Sequence, residues 1–172
     1  LAHSFPIQSV DLERAYLQIP WHDSWAPHYL VIDPKTRARF TDEQFRGNNI
    51  NRPIYRMTRC LYGHPWSGSA FVKTLVKKLK VLGWKAMASN EAWLARKDCT
   101  LCVYVDDICM SGPPDQMAEA WNQIEASGLN FGAPPYACSR FLGVNVQDQW
   151  DGNTKRQMKF VMSEYCDLIY ET

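Results

Sequence analysis

No run of this sequence approaches the roughly 18–20 apolar residues of a membrane span, so no membrane partner is expected. The start, Leu1-Ala2-His3-Ser4, lacks the basic segment and the long apolar stretch of a signal peptide. It also lacks an initiator Met, which reads as a piece of a longer chain. Charge of one sign is missing too: the net charge is +1, too balanced to advertise nucleic-acid binding by itself. Zinc spacing is absent. Cys99-Thr-Leu-Cys102 is a CxxC, but no second pair or His-x-x-x-His follows it. Cys60, Cys109, Cys138 and Cys166 are scattered, and the six thiols read as reduced cysteines of a cytosolic or nuclear setting. His3, His22, His28 and His64 show no metal spacing either. No repeat or low-complexity tract occurs.

What is present is a core. Apolar residues make up 46% and charged residues 22% of 172, which describes one globular domain. Ile7 to Leu12 reads as a strand. His28 to Phe40 reads as a hairpin turning at Asp33-Pro34-Lys35-Thr36. Thr41 to Arg52 reads as a loop and Ile54 to Leu61 as a strand. Phe71, Leu75, Leu79 and Leu82 recur on one face, which predicts a helix over Ser67 to Leu82, stopped by Gly83. Lys73, Lys77 and Lys80 fall elsewhere and read as its solvated side. Trp93 to Lys97, Thr100 to Tyr104 and Ile108 to Ser111 read as strands. Pro113-Pro114 opens a helix over about Asp115 to Ser127, with Gly128 as its stop. Arg140 to Gln147 and Lys159 to Met162 read as a last strand pair around a Gly152 turn, and Ser163 as the N-cap of a final helix. The expected class is α+β, an antiparallel sheet with helices on one face.

One feature does not fit a structural strand. Asp106 and Asp107 interrupt the apolar run Leu101 to Met110. Burying unpaired charge is expensive, and neighbouring strand residues point to opposite faces. A tight turn at the pair would expose both carboxylates, where cations balance them. Asp11 ends the first expected strand and supplies a third acid. Three carboxylates without nearby His or Cys ligands favour a hard divalent metal. Such a cluster suits two Mg²⁺ ions about 3.5–4 Å apart, as in phosphoryl transfer.

The order of motifs then resembles a known family. Val10-Asp11 with Ala15-Tyr16, then Leu61-Tyr62-Gly63 before a helix, then Val103-Tyr104-Val105-Asp106-Asp107, then Phe141-Leu142-Gly143 is similar to the motif series of reverse transcriptases. The resemblance is to the copia-type LTR retrotransposons. It includes the basic segment Ile54 to Cys60 before Leu61, and Ser163-Glu164-Tyr165 after the Phe-Leu-Gly segment. It covers about Val10 to Tyr170.

The resemblance implies a polymerase palm with a ferredoxin-like core over residues 1–172, with part of a fingers insert at about 28–53. The N-terminal fingers, the thumb and RNase H are then absent from these residues. It implies that Asp11, Asp106 and Asp107 are the catalytic metal-binding triad, with Asp106 matching the more directly ligating member of the pair. Mg²⁺ is the implied cofactor, two ions, with Mn²⁺ as a substitute. Tyr16 matches the aromatic floor of the sugar pocket, which rejects a 2′-hydroxyl. Arg14 and Ala15 match positions whose backbone approaches the triphosphate. Gly63 matches a glycine beside the nascent base pair, and Tyr104 stands with the substrate-binding residues. Phe141, Leu142 and Gly143 match the primer grip. The implied partners are an RNA or DNA template-primer, dNTPs, and the integrase and RNase H domains of a Gag-Pol-type polyprotein. The implied setting is a cytoplasmic virus-like particle, with the nucleus as a second location.

The segment after Gly63 departs from the family. His64-Pro65-Trp66-Ser67-Gly68-Ser69 stands where copia elements carry Leu-Lys-Gln-Ala-Pro-Arg. Two other readings stand beside the polymerase. One is an inactive or domesticated palm kept as a binding or scaffold module. The other is a different two-metal phosphotransferase or nucleotide cyclase, which has no need of Tyr16 or of a primer grip.

Overall fold

The computed structural model describes residues 5–39, 53–87, 90–150 and 156–163. The chain is α+β, and its main sheet is antiparallel throughout. Six strands form that sheet: β1 (Ile7–Asp11), β4 (Lys85–Met87), β5 (Asn90–Arg96), β6 (Cys99–Tyr104), β7 (Asp107–Ser111) and β8 (Tyr136–Ala137). Their spatial order is β4-β5-β6-β7-β1-β8. Two helices matter to the core, α2 (Ser67–Val81) and α3 (Pro114–Ala126). Both fall within a residue of the bounds that periodicity predicts. Counting β1, α2, β6, β7, α3 and β8 along the chain gives β-α-β-β-α-β, with the fourth strand beside the first and the third between the first and the second.

Alternation along the strands sorts the two faces. Val10, Leu101, Val103, Ile108 and Met110 are buried and share one core with Phe71, Leu75 and Leu79 of α2 and Met117, Trp121 and Ile124 of α3. Each such side chain contributes about 1.5–3 kcal/mol by leaving water. The Trp121 indole donates to Gln8 Oε1 at 2.9 Å, and Lys78 Nζ donates to the Ser127 carbonyl at 2.7 Å. These bonds fix α3 against β1 and against α2. The opposite face carries Asp11, Ser9, Cys109, Cys102 and Asp107 by the same alternation.

Elsewhere the structure corrects the sequence reading. The expected hairpin at 28–40 does not form. β2 (Tyr29–Val31) pairs with β3 (Ile54–Arg56) instead. Asp33 accepts from the Lys35 and Thr36 amides, and Pro34 opens a single helical turn, α1 (Pro34–Arg37). That cap makes the expected turn helical and carries the helix into Arg37, the first residue of the expected second arm. The strand expected over Ile54 to Leu61 stops at Arg56; further on, only a Pro20–Arg59 bridge continues the pairing. The Thr41–Arg52 loop, most of the final helix and the Gly152 turn lie outside the described residues.

The Phe-Leu-Gly segment also differs from a continuous strand. β9 (Arg140–Phe141) and β10 (Val144–Trp150) flank a two-residue turn, and β11 (Arg156–Val161) completes a separate three-stranded sheet. Leu142 and Gly143 have φ of 51° and 79°. Positive φ at both central residues is the hairpin geometry that matches strand twist. No helix among the described residues is long and apolar enough to cross a membrane.

Candidate active site

Two strands and one turn build the acidic site. Asp11 is the last residue of β1, and Asp107 is the first residue of β7. The ladder pairs Asp11 with Asp107, and Asp107 with Tyr104 on its other side. Directly opposed residues share a face, with Cβ atoms about 4.5–5.5 Å apart. Tyr104, Asp107 and Asp11 therefore form one row across three strands.

The turn is offset by one residue from the sequence expectation. Val105 and Asp106 occupy its two central positions, and Asp107 is already strand. The reason is Val105, whose φ is 54°. A two-residue hairpin needs positive φ at its first central position, a place that glycine fills easily. A β-branched residue held there stores about 1–3 kcal/mol of strain. Packing against the core offsets it, because Val105 is half-buried there. The Asp106 carbonyl also accepts from the Leu12 amide at 3.1 Å, which ties the turn to the residue after Asp11.

Electrostatics mark the cluster. The Asp11 carboxyl is pushed above the ordinary carboxylate range by burial and then by the Asp106 charge. Burial raises Asp107 as well, followed by the charges of Asp106 and Asp11. Like charges held together by backbone register resist ionisation. Among the described residues, no group of three or more Asp, Glu, His or Cys is close enough to hold a metal ion.

Tyr16 borders the site from a single 3₁₀ turn, Ala15–Gln18, whose entry residue Arg14 is left-handed at φ 50°. Its ring lies 4.7 Å from Tyr62 and edge-on to Phe71 at 5.6 Å. Burial raises the Tyr16 hydroxyl first, then Asp106, Tyr62 and Tyr104. The hydroxyl is thus within electrostatic reach of the acidic turn. Ala15 is fully buried, backbone included. Arg14 is exposed and lies 3.6 Å from Glu13.

Gly63 has φ +79°, and a Cβ there would meet nothing within 4 Å. Conformation, not crowding by the protein, is what selects glycine at this position. It joins the site through its neighbour Tyr62, a motif residue to which the sequence reading gave no role of its own. Phe141, Leu142 and Gly143 lie in the three-stranded sheet and not in the one that carries the acids.

A groove of about 630 Å³ lies beside the 3₁₀ turn, lined by Arg14, Arg56, Arg59, Tyr55 and Gln18 among others. Arg59 donates to the Leu17 and Gln18 carbonyls at 3.1 and 3.3 Å. The unusual segment after Gly63 has a structural role. His64 Nε2 and His28 Nδ1 are 2.7 Å apart, and the Trp66 amide donates to His64 Nδ1 at 3.2 Å. Trp66 stacks parallel to Trp21 at 6.4 Å. No spacing signal could have found this pairing, because the two histidines are 36 residues apart.

No protein-family model matches this chain, and no curated protein matches it.

Proposed function

We infer that this chain is the palm core of an RNA-directed DNA polymerase of the reverse-transcriptase type, transferring dNTPs to a primer 3′-hydroxyl. One observation carries the reading: Asp11 and Asp107 are ladder partners, with Asp106 on the adjoining turn. Three further features support it. The β-α-β-β-α-β order with its antiparallel sheet agrees with a ferredoxin-like palm. The Tyr16 hydroxyl is within electrostatic reach of Asp106, which is compatible with a sugar gate. The motif order in the sequence is that of copia-type elements.

The donor set fits a hard cation. Asp11, Asp106 and Asp107 offer only carboxylate oxygens, and their mutual repulsion is the cost that divalent charge relieves. These three residues would hold Mg²⁺, or Mn²⁺ in its place. Bound there, two such ions supply charge stabilisation for the attacking and leaving oxygens of phosphoryl transfer.

The chain's own residues do the rest. The Tyr16 ring, braced by Tyr62 and Phe71, excludes a 2′-hydroxyl by volume. Arg14, Arg56 and Arg59 give the adjacent groove the positive charge that attracts a triphosphate. The open sheet face, rimmed by exposed Trp93, Tyr104 and Tyr136, offers a platform for the template-primer. The Leu142–Gly143 turn is the primer-grip element of this reading. The partners are then a template-primer, dNTPs, and the integrase and RNase H domains of a Gag-Pol-type polyprotein, in a cytoplasmic particle or in the nucleus.

A second reading is a palm kept as a binding module. The His64–Ser69 departure favours it. Primer extension on an RNA template by the full parent polyprotein product separates the two. Mg²⁺-dependent synthesis that is lost in Asp106→Asn supports the polymerase. Template binding without synthesis supports the module.

A further inference from the structure

The row next to the acids, on the sheet face opposite the helices, holds two thiols. Cys102 of β6 and Cys109 of β7 are direct ladder partners. Each lies two residues from the acidic row on its own strand, Cys102 from Tyr104 and Cys109 from Asp107, so both point to the same face. The Cys109 and Cys102 thiols are close enough for each to perturb the other's ionisation. Both cysteines are free thiols. Antiparallel partners have Cα atoms about 4.5–5.5 Å apart, and a disulfide spans about 4.4–6.8 Å. Opposed Cβ atoms stand about 4.5–5.5 Å apart and a disulfide needs about 3.5–4.5 Å, so a shift of about 1 Å joins the strands. Cys109 is the more open of the two, while Cys102 is 8% exposed.

A second observation points to a small polar reactant at the same place. Ser9 of β1 stands opposite Cys109, on the other side from Cys102. It is 4% exposed, and its Oγ is buried without a hydrogen-bond partner among the described residues. A buried hydroxyl left unpaired is costly. This one is placed to bond an oxygen atom brought up to the Cys109 sulfur.

We propose that Cys102 and Cys109 form a reversible oxidation site for hydrogen peroxide, which closes as a cross-strand disulfide with Ser9 as the group that holds the peroxide oxygen. One sulfur attacks a peroxide oxygen; an S–O bond forms, the O–O bond breaks and one water leaves. The second sulfur then attacks the first; the S–S bond forms, the S–O bond breaks and a second water leaves. Two thiols lose two hydrogens and two electrons in total, and the peroxide takes them up as two waters. The new bond ties β6 to β7 one row from Tyr104 and Asp107. It stiffens the hairpin whose turn is Val105–Asp106. The site stands on thiol geometry and is independent of any metal or polymerase reading.

The test uses the folded, reduced chain. It is exposed to near-stoichiometric hydrogen peroxide, blocked with a maleimide, and mapped by peptide mass spectrometry. The expected result is a Cys102–Cys109 linked peptide as the first oxidation product, reversed by dithiothreitol. Cys60 and Cys99, both buried, should remain alkylatable once the chain is unfolded. Cys138→Ser should leave the link unchanged, and Ser9→Ala should slow its formation by about 5-fold, the worth of one hydrogen bond. Four results overturn the proposal: a first link through Cys138 or Cys166, sulfinic acid at Cys109 with Cys102 still reduced, no link until the chain is denatured, or an unchanged rate in Ser9→Ala. The wild-type map decides the Cys102–Cys109 link without any variant, and the Ser9→Ala rate decides the role of Ser9.

Discussion

Asp11 and Asp107 face each other across adjacent antiparallel strands, and each carboxyl resists ionisation because of burial and nearby negative charge. Backbone hydrogen bonding, not attraction, holds them there. Two carboxylates opposed on one ladder at a cost to the isolated fold are the physical signature on which the functional reading rests.

The first prediction concerns pH in metal-free buffer. A carboxyl whose folded pKa is raised binds more protons folded than unfolded, so its ionisation works against folding. The contribution of Asp11 and Asp107 is therefore present below the ordinary carboxylate pKa of about 4. It is lost as pH rises through their raised folded values. Urea midpoints should fall across that window on going toward neutrality. Asp107→Asn should flatten the dependence. A variant with the wild-type slope would show that the two acids do not interact as described.

Asp106→Asn removes the charge that helps to raise both neighbours. The metal-free variant should be slightly more stable than wild type, by a few tenths of a kcal/mol to ~1 kcal/mol, since the site is partly solvated. Denaturant titration in a chelating buffer checks this. A clear loss of stability would mean that Asp106 holds the turn by bonding and not by strain.

Val105 and Val103 should respond differently to truncation. Val103 is 4% exposed in ordinary strand geometry, so Val103→Ala should cost roughly 2 kcal/mol. Val105 is held at positive φ, where glycine relieves strain. Val105→Gly should therefore stay within ~1 kcal/mol of wild type despite its lost packing. Equal and large losses at both positions would remove the argument for strain in the turn.

Tyr16 tests the sugar gate. Shrinking the ring should admit a larger ribose, so Tyr16→Val should raise the rNTP-to-dNTP ratio of kcat/KM by about 10-fold or more. Tyr16→Phe should leave the ratio nearly unchanged, because volume does the excluding. Single-nucleotide incorporation by the parent polyprotein product measures both. Equal loss on both substrates would make Tyr16 a packing residue against Tyr62 and Phe71.

Strong periodicity made part of this fold readable in advance. The apolar stripe of α2, the Pro start and Gly stop of α3, and the strands around Asp98 all carry local signals. The acidic turn was readable to within one residue, and the error has a cause: positive φ at a valine contradicts local preference. β2 and β3 pair across a long insertion, and an Asp33 cap overrode the hairpin that the intervening residues suggested. The Leu142–Gly143 turn hid inside an apolar run because only one of its two positive-φ residues is glycine. Of the candidate site, Tyr16 entered only through the resemblance, and the adjacency of Asp11 to the Asp106–Asp107 turn was legible from the strand pattern. Tyr62, the His28–His64 bond and the Cys102–Cys109 pair were not, because each depends on register or on long-range packing.

The most direct measurement is RNA-templated primer extension by the full parent polyprotein product, titrated with Mg²⁺, for wild type, Asp11→Asn and Asp107→Asn. The account predicts synthesis that needs Mg²⁺ and falls at least ~100-fold in both variants, with template-primer binding kept. Wild-type-level extension by either variant, or extension that ignores Mg²⁺, would contradict it.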